Sequence, residues 1–203
     1  MTARTGELWR GLEEWLRANA PRTFATLNPA ADASTVAWLE SQLGLELPAE
    51  LVACLGRHNG ADNTAVGPGF SFMGGFHLRD AAGIAADAAV CLTVLRRAPE
   101  TRGRIWHEAW IPFATDFGGY FLVYDTRRRR PFGTVFYRDM VEGPWCASWD
   151  SMENLLADTL DALGQKRVSR ATRLPRDYPF LGGWATERPT VHDGVLAWTP
   201  DRS

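Results

Sequence analysis

Few residues of this chain have types and spacings that could do chemistry. His107-Glu108 is half of a metalloprotease signature, but the second histidine should fall four residues after the first, where Ile111 stands. His58, beside Asn59, could serve as a base; just past a helix end, its ordinary work is to bond the last carbonyls and complement the dipole. Gly67-Pro68-Gly69 and Gly74-Gly75 are glycine-rich but lack a lysine, and Pro68 removes a backbone donor, so they read as turns and not as a phosphate cradle. Ser148, Ser151 and Ser169 lie outside any G-x-S-x-G elbow, and Cys54, Cys91 and Cys146 have no C-x-x-C spacing. Asp116 and Asp125 lie nine positions apart along one extended run, which places them on opposite faces and about 30 Å from each other. That is too far for joint acid and base work, so both read as turn aspartates. The expectation is no catalytic residue, no metal and no cofactor.

Two charged features remain. Arg127 to Arg130 could hold phosphate, but four residues between strands read first as a solvated hairpin tip. Asp62, Asp80, Asp116 and Asp139 are ordinary loop aspartates, or else the acidic side of a contact with a basic protein surface.

The elements that would carry these residues follow from apolar spacing. Trp110-Ile111-Pro112-Phe113-Ala114, a turn at Asp116-Phe117-Gly118-Gly119, and Tyr120-Phe121-Leu122-Val123-Tyr124-Asp125 predict a hairpin. A third strand is expected at Gly133-Thr134-Val135-Phe136-Tyr137, then a helix on Met152, Leu155, Leu156, Leu160 and Leu163. Upstream, helices are predicted over residues 6–18, from the cap Asp32 to the stop Gly44, and from Pro48 as first helical position to His58-Asn59-Gly60. Residues 70–78 read as one strand ending in a turn, 80–97 as an alanine-rich helix and 99–104 as a charged loop.

Composition bounds the class. With 203 residues, 45% hydrophobic content, nine Trp and ten Phe, the chain can fold around one large core. A formal charge of -2 argues against a general nucleic-acid binder. The opening residues lack the apolar region of a signal peptide, and no run of about 18 apolar residues could span a bilayer. The expected setting is the reducing cytoplasm, with no membrane partner.

The order Leu39-Glu40, Leu43-Gly44, Leu47-Pro48 and Asn59-Gly60, followed by Trp110-Ile111-Pro112-Phe113-Ala114, Asp116-x-Gly118-Gly119, Tyr124-Asp125 and Gly133-Thr134-Val135, resembles the SUKH superfamily. That superfamily is named for the Smi-Knr cell-wall-assembly regulators and related bacterial immunity proteins. The resemblance implies an α+β fold, a central mostly antiparallel sheet packed by helices, as a single domain over residues 1–164. Residues 165–203 would be an extension. Its Tyr178, Phe180, Trp184 and Trp198 predict that it docks back on the domain, since each exposed side chain would forgo about 1.5 to 3 kcal/mol.

No catalytic residues come with the resemblance. It implies a non-enzymatic domain that neutralises a protein toxin, in many cases a nuclease, by occluding its active surface, without direct nucleic-acid or small-molecule binding. The loops around Asp62, Arg79, Asp116, Tyr120 and Tyr137 are the expected contact region. The alternative is a regulator or scaffold of the same fold that binds an endogenous protein. An enzyme comes third and would need a pocket holding a perturbed titratable group.

Overall fold

A computed structural model describes residues 3–63, 69–127, 133–139, 143–168 and 187–200. Four helices come first: α1 (Ala3–Asn19), α2 (Pro21–Phe24), α3 (Ala33–Leu43) and α4 (Ala49–Leu55). The strands β1 (Ser71–Phe72) and β2 (Phe76–Leu78) flank a 3-10 turn, and α5 (Ala81–Arg97) follows. Then come β3 (Trp110–Thr115), β4 (Tyr120–Asp125), β5 (Val135–Asp139), β6 (Gly143–Trp149) and α6 (Met152–Gln165). A hairpin of β7 (Glu187–His192) and β8 (Val195–Pro200) ends the described chain.

Local chemistry sets the helix ends. Asp32 accepts the backbone N–H of Thr35 at 2.7 Å, and Gly44 closes α3 at φ 67°. Asp80 does the same for α5 through Gly83 N–H, also at 2.7 Å, and Ser151 caps α6 through Asn154 N–H at 3.1 Å.

The strands β1 to β6 form one antiparallel sheet in sequence order, so each connection runs between neighbours. Between β3 and β4 the register shifts at Pro112 to Ala114, making Phe113 an extra residue. Pro112 cannot donate to a ladder, so a bulge there breaks little pairing.

Strand alternation then sorts the side chains into two cores. Ile111, Phe113, Leu122, Tyr124, Val135 and Tyr137 face a large core with Trp9, Leu12 and Leu16 of α1 and Leu155, Leu156 and Leu163 of α6. Trp110, Phe121 and Val123 face a smaller one with Cys91 and Leu95 of α5 and Trp106. The fold is α+β, with an antiparallel sheet between these two apolar layers.

The terminal hairpin meets the opposite end of the chain. The Gly194 carbonyl accepts Arg22 N–H at 2.9 Å, and Leu196 N–H donates to Thr23 Oγ1 at 2.9 Å. Trp198 Nε1 donates to the Ser71 carbonyl at 3.1 Å, and Leu196 and Trp198 are buried in the large core. Burial pushes Glu187 up to about 7, against a hydrogen bond from the Gly74 backbone. Tyr178, Phe180 and Trp184 lie outside the described residues.

The predicted central hairpin, α1, α3, α5 and α6 are present within a residue or a few. Residues 70–78 are not one strand: Gly74 and Gly75, at φ 76° and 69°, turn the chain back on itself and split the segment into β1 and β2. The third helix begins after Pro48 and stops at Leu55, short of His58. β5 starts two residues later than expected, at Val135. The sequence reading did not include α2 or β6; α2 is a single turn after Pro21, too short to show periodicity.

Candidate functional site

The turn between β3 and β4 is built by its own side chains. Asp116 Oδ1 accepts the N–H groups of Gly118 at 2.7 Å and Tyr120 at 3.0 Å. Thr115 Oγ1 accepts Phe117 N–H at 3.1 Å and donates to the Tyr120 carbonyl at 3.0 Å. These bonds hold Phe117 in the left-handed region at φ 61°, a conformation that costs a bulky residue about 1–2 kcal/mol. Gly119, at φ 105°, completes the turn where a side chain would be strained.

What the turn presents is aromatic. Phe117 is 57% exposed, and its ring stacks on His77 at 5.3 Å with planes 28° apart. The Arg79 guanidinium lies 5.3 Å from the same ring and is held by Asp87 at 2.8 Å. His77 in β2 and Arg79 just past its end are two positions apart, and both lie against Phe117. Burial pushes the His77 imidazole below its usual value; the Arg79 charge adds to this, while the Gly69 backbone and the Asp116 charge oppose it. Among the described residues three other large apolar side chains are exposed, Trp38, Val90 and Val191, and of the four Phe117 alone has an arginine and a histidine on its ring.

Four of the five expected contact residues gather at this end of the sheet. Asp116 forms the turn and Arg79 flanks it. Tyr120 stacks on Tyr137 at 5.3 Å, with planes 19° apart, on neighbouring β4 and β5. Tyr120 is partly exposed, whereas Tyr137 is 5% exposed and packs on Phe76 behind it. Asp62 follows Ala61, whose N–H bonds the Leu78 carbonyl just before Arg79, and its own N–H donates to Thr26. The sequence reading passed over Phe117 and His77. A bulky residue between an Asx-turn aspartate and Gly-Gly was the available signal, since that position suits glycine or asparagine better.

The other expected features have structural roles. Asp125 is fully buried and pairs with Arg127, whose Nη2 lies 2.6 Å from Oδ2; the guanidiniums of Arg127 and Arg138 lie 5.4 and 5.0 Å from the Trp110 ring. Arg127 is therefore anchored and not a solvated tip, while 128–130 lie outside the described residues. His58 does not bond helix carbonyls through its ring: Nδ1 lies 2.9 Å from the Asn28 carbonyl and Nε2 lies 3.1 Å from Glu13. Burial pushes Glu13 up, but hydrogen bonds and charge from Arg57 and His58 outweigh it and hold the carboxyl below its ordinary value. Asp80 is a helix cap and His107 Nδ1 accepts Ala109 N–H; Ser169 and the side chains of Asp139 and Ser148 are outside the described set. Among the described residues no cluster of His, Cys, Asp or Glu could hold a metal, and no helix is long and apolar enough to cross a membrane.

Taken together, an antiparallel sheet between two apolar layers, with an exposed aromatic turn at its end, defines an α+β domain. The chain belongs to the SMI1 / KNR4 family (SUKH-1), which matches residues 30–162. A comparison with curated proteins finds no match. Helices α1 and α2 and the β7–β8 hairpin lie outside the matched stretch. Membership fits an immunity role or a Smi-Knr regulator role.

Proposed function

We propose that this chain is a non-enzymatic immunity protein of the cytoplasm that binds a bacterial toxin and occludes its active surface. The observation that carries the reading is Phe117, an exposed aromatic held in an unfavourable backbone conformation by four side-chain hydrogen bonds and backed by His77 and Arg79. Ordering an aromatic anchor before the partner arrives lowers the entropy cost of association. The proposed contact region takes in Asp116, Arg79 and Tyr120 at this turn, together with Tyr137 and Asp62. The interface would be near the usual 1,600 Å² in total, about 800 Å² on this chain. In the same proposal, residues 1–164 form the binding domain and 165–203 a docked extension.

The test is to capture the partner from native lysate, identify it, and express it alone and together with this chain. A partner lethal alone and harmless in co-expression supports immunity. A benign partner, harmless in both cases, rejects immunity in favour of a regulator of the same family.

A further inference from the structure

Trp110 shows how this protein engages arginine. Two guanidiniums lie over its ring, Arg127 at 5.4 Å and Arg138 at 5.0 Å, and the Asp125 carboxylate holds Arg127. Phe117 has half of that arrangement: Arg79 at 5.3 Å on the ring and its own carboxylate, Asp87, on Arg79. Phe117 remains 57% exposed. Asp116, the next residue, spends Oδ1 on the turn and leaves Oδ2 without a hydrogen-bond donor among the described residues.

We infer that the exposed face of Phe117, together with Asp116 Oδ2, receives an arginine side chain from the partner protein. The inference rests on the binding role proposed above and specifies its chemistry. A planar guanidinium can stack on an aromatic face while its N–H groups reach a carboxylate alongside, whereas an ammonium has no plane to stack. Because Asp87 already neutralises Arg79, a second cation near the ring meets little net repulsion. The partner surface this fits is basic and arginine-bearing, complementary to an acidic turn on a chain of formal charge -2.

The probe is a short Gly-Ser peptide carrying three arginines, titrated into the full chain and followed by backbone NMR, with the lysine version as control. The arginine peptide should shift the amides of His77, Phe117, Gly118 and Gly119 and bind about fivefold more tightly than the lysine peptide. Phe117→Leu keeps an apolar side chain but removes the aromatic face, and should weaken binding about fivefold while the melting temperature stays put. Asp116→Asn keeps the turn acceptor and removes the charge, giving a second variant with an expected loss of similar size. Equal binding of both peptides, shifts elsewhere on the surface, or unchanged affinity in both variants overturns the inference. Its failure is separable from failure of the immunity reading: co-expression rescue without peptide binding leaves immunity standing and removes only the arginine site.

Discussion

Trp110 and Phe117 stand at the two ends of the same strand pair, each beside arginine and carboxylate, yet one is 4% exposed and the other 57%. Around Trp110 the charges face inward, Asp125 is fully buried, and Trp106 and Phe136 close the ring edges at 5.7 and 5.1 Å. Around Phe117 the partners are His77 of β2 and Arg79 just past its end, and the residue is otherwise open to solvent. One set of side-chain types is thus a structural joint where it is closed and an exposed aromatic turn where it is left open. The difference is burial, which multiplies the strength of each charge contact and the cost of losing one.

Substitutions at the closed end should have the largest effect. Trp110→Ala should cost about 3–5 kcal/mol in urea unfolding, because the cavity it leaves is lined by Trp106, Phe136 and two guanidiniums. A loss under about 1 kcal/mol would mean the small core is not closed. Asp125→Asn should cost about 2 kcal/mol, less than a wholly buried pair, because Arg127 is 35% exposed and can turn to solvent. Urea unfolding of the double variant Asp125→Asn with Arg127→Gln should recover part of that loss if the pair is what matters.

At the open end the effects shrink. The imidazole of His77 is held low by burial, so the unfolded chain takes a proton before the folded one does. Its contribution to stability is therefore complete above the ordinary imidazole value of about 6.5 and declines as pH falls below it. Melting curves at pH 5 and pH 8 should show a smaller difference for His77→Gln than for the natural chain; an unchanged difference would place the titration elsewhere. Phe117→Ala should change stability by no more than about 0.5 kcal/mol, since the residue is exposed and already strained. If it melts as far below the natural chain as Trp110→Ala does, the two ends are not distinct and the turn is part of the core.

Much of this could be seen in the chain before folding. The cap Asp32 and the stop Gly44 announce α3 through local bonds that need no distant partner, and apolar spacing announces α5 and α6, whose caps Asp80 and Ser151 the structure revealed. The β3–β4 hairpin is carried by two apolar runs and a glycine turn, and Asp116 as a turn residue follows from the same local rule. The short segments were harder to see. Neither β1 nor β2 exceeds three residues, and β6 has Gly143 and Pro144 at its start, so local preference is weak and sheet pairing decides.

The sequence by itself determined the family, the order of the long helices and strands, and the alternation that gives the sheet two apolar faces. Only the tertiary structure decided which charges are buried and which aromatic is left in solvent. Asp125 and Asp116 look alike as turn aspartates, yet one lies under Arg127 and the other beside an open ring. The physical reason is that capping and periodicity act within about four residues, whereas burial is set by pairings such as His77 with Thr115, which the chain makes only once folded.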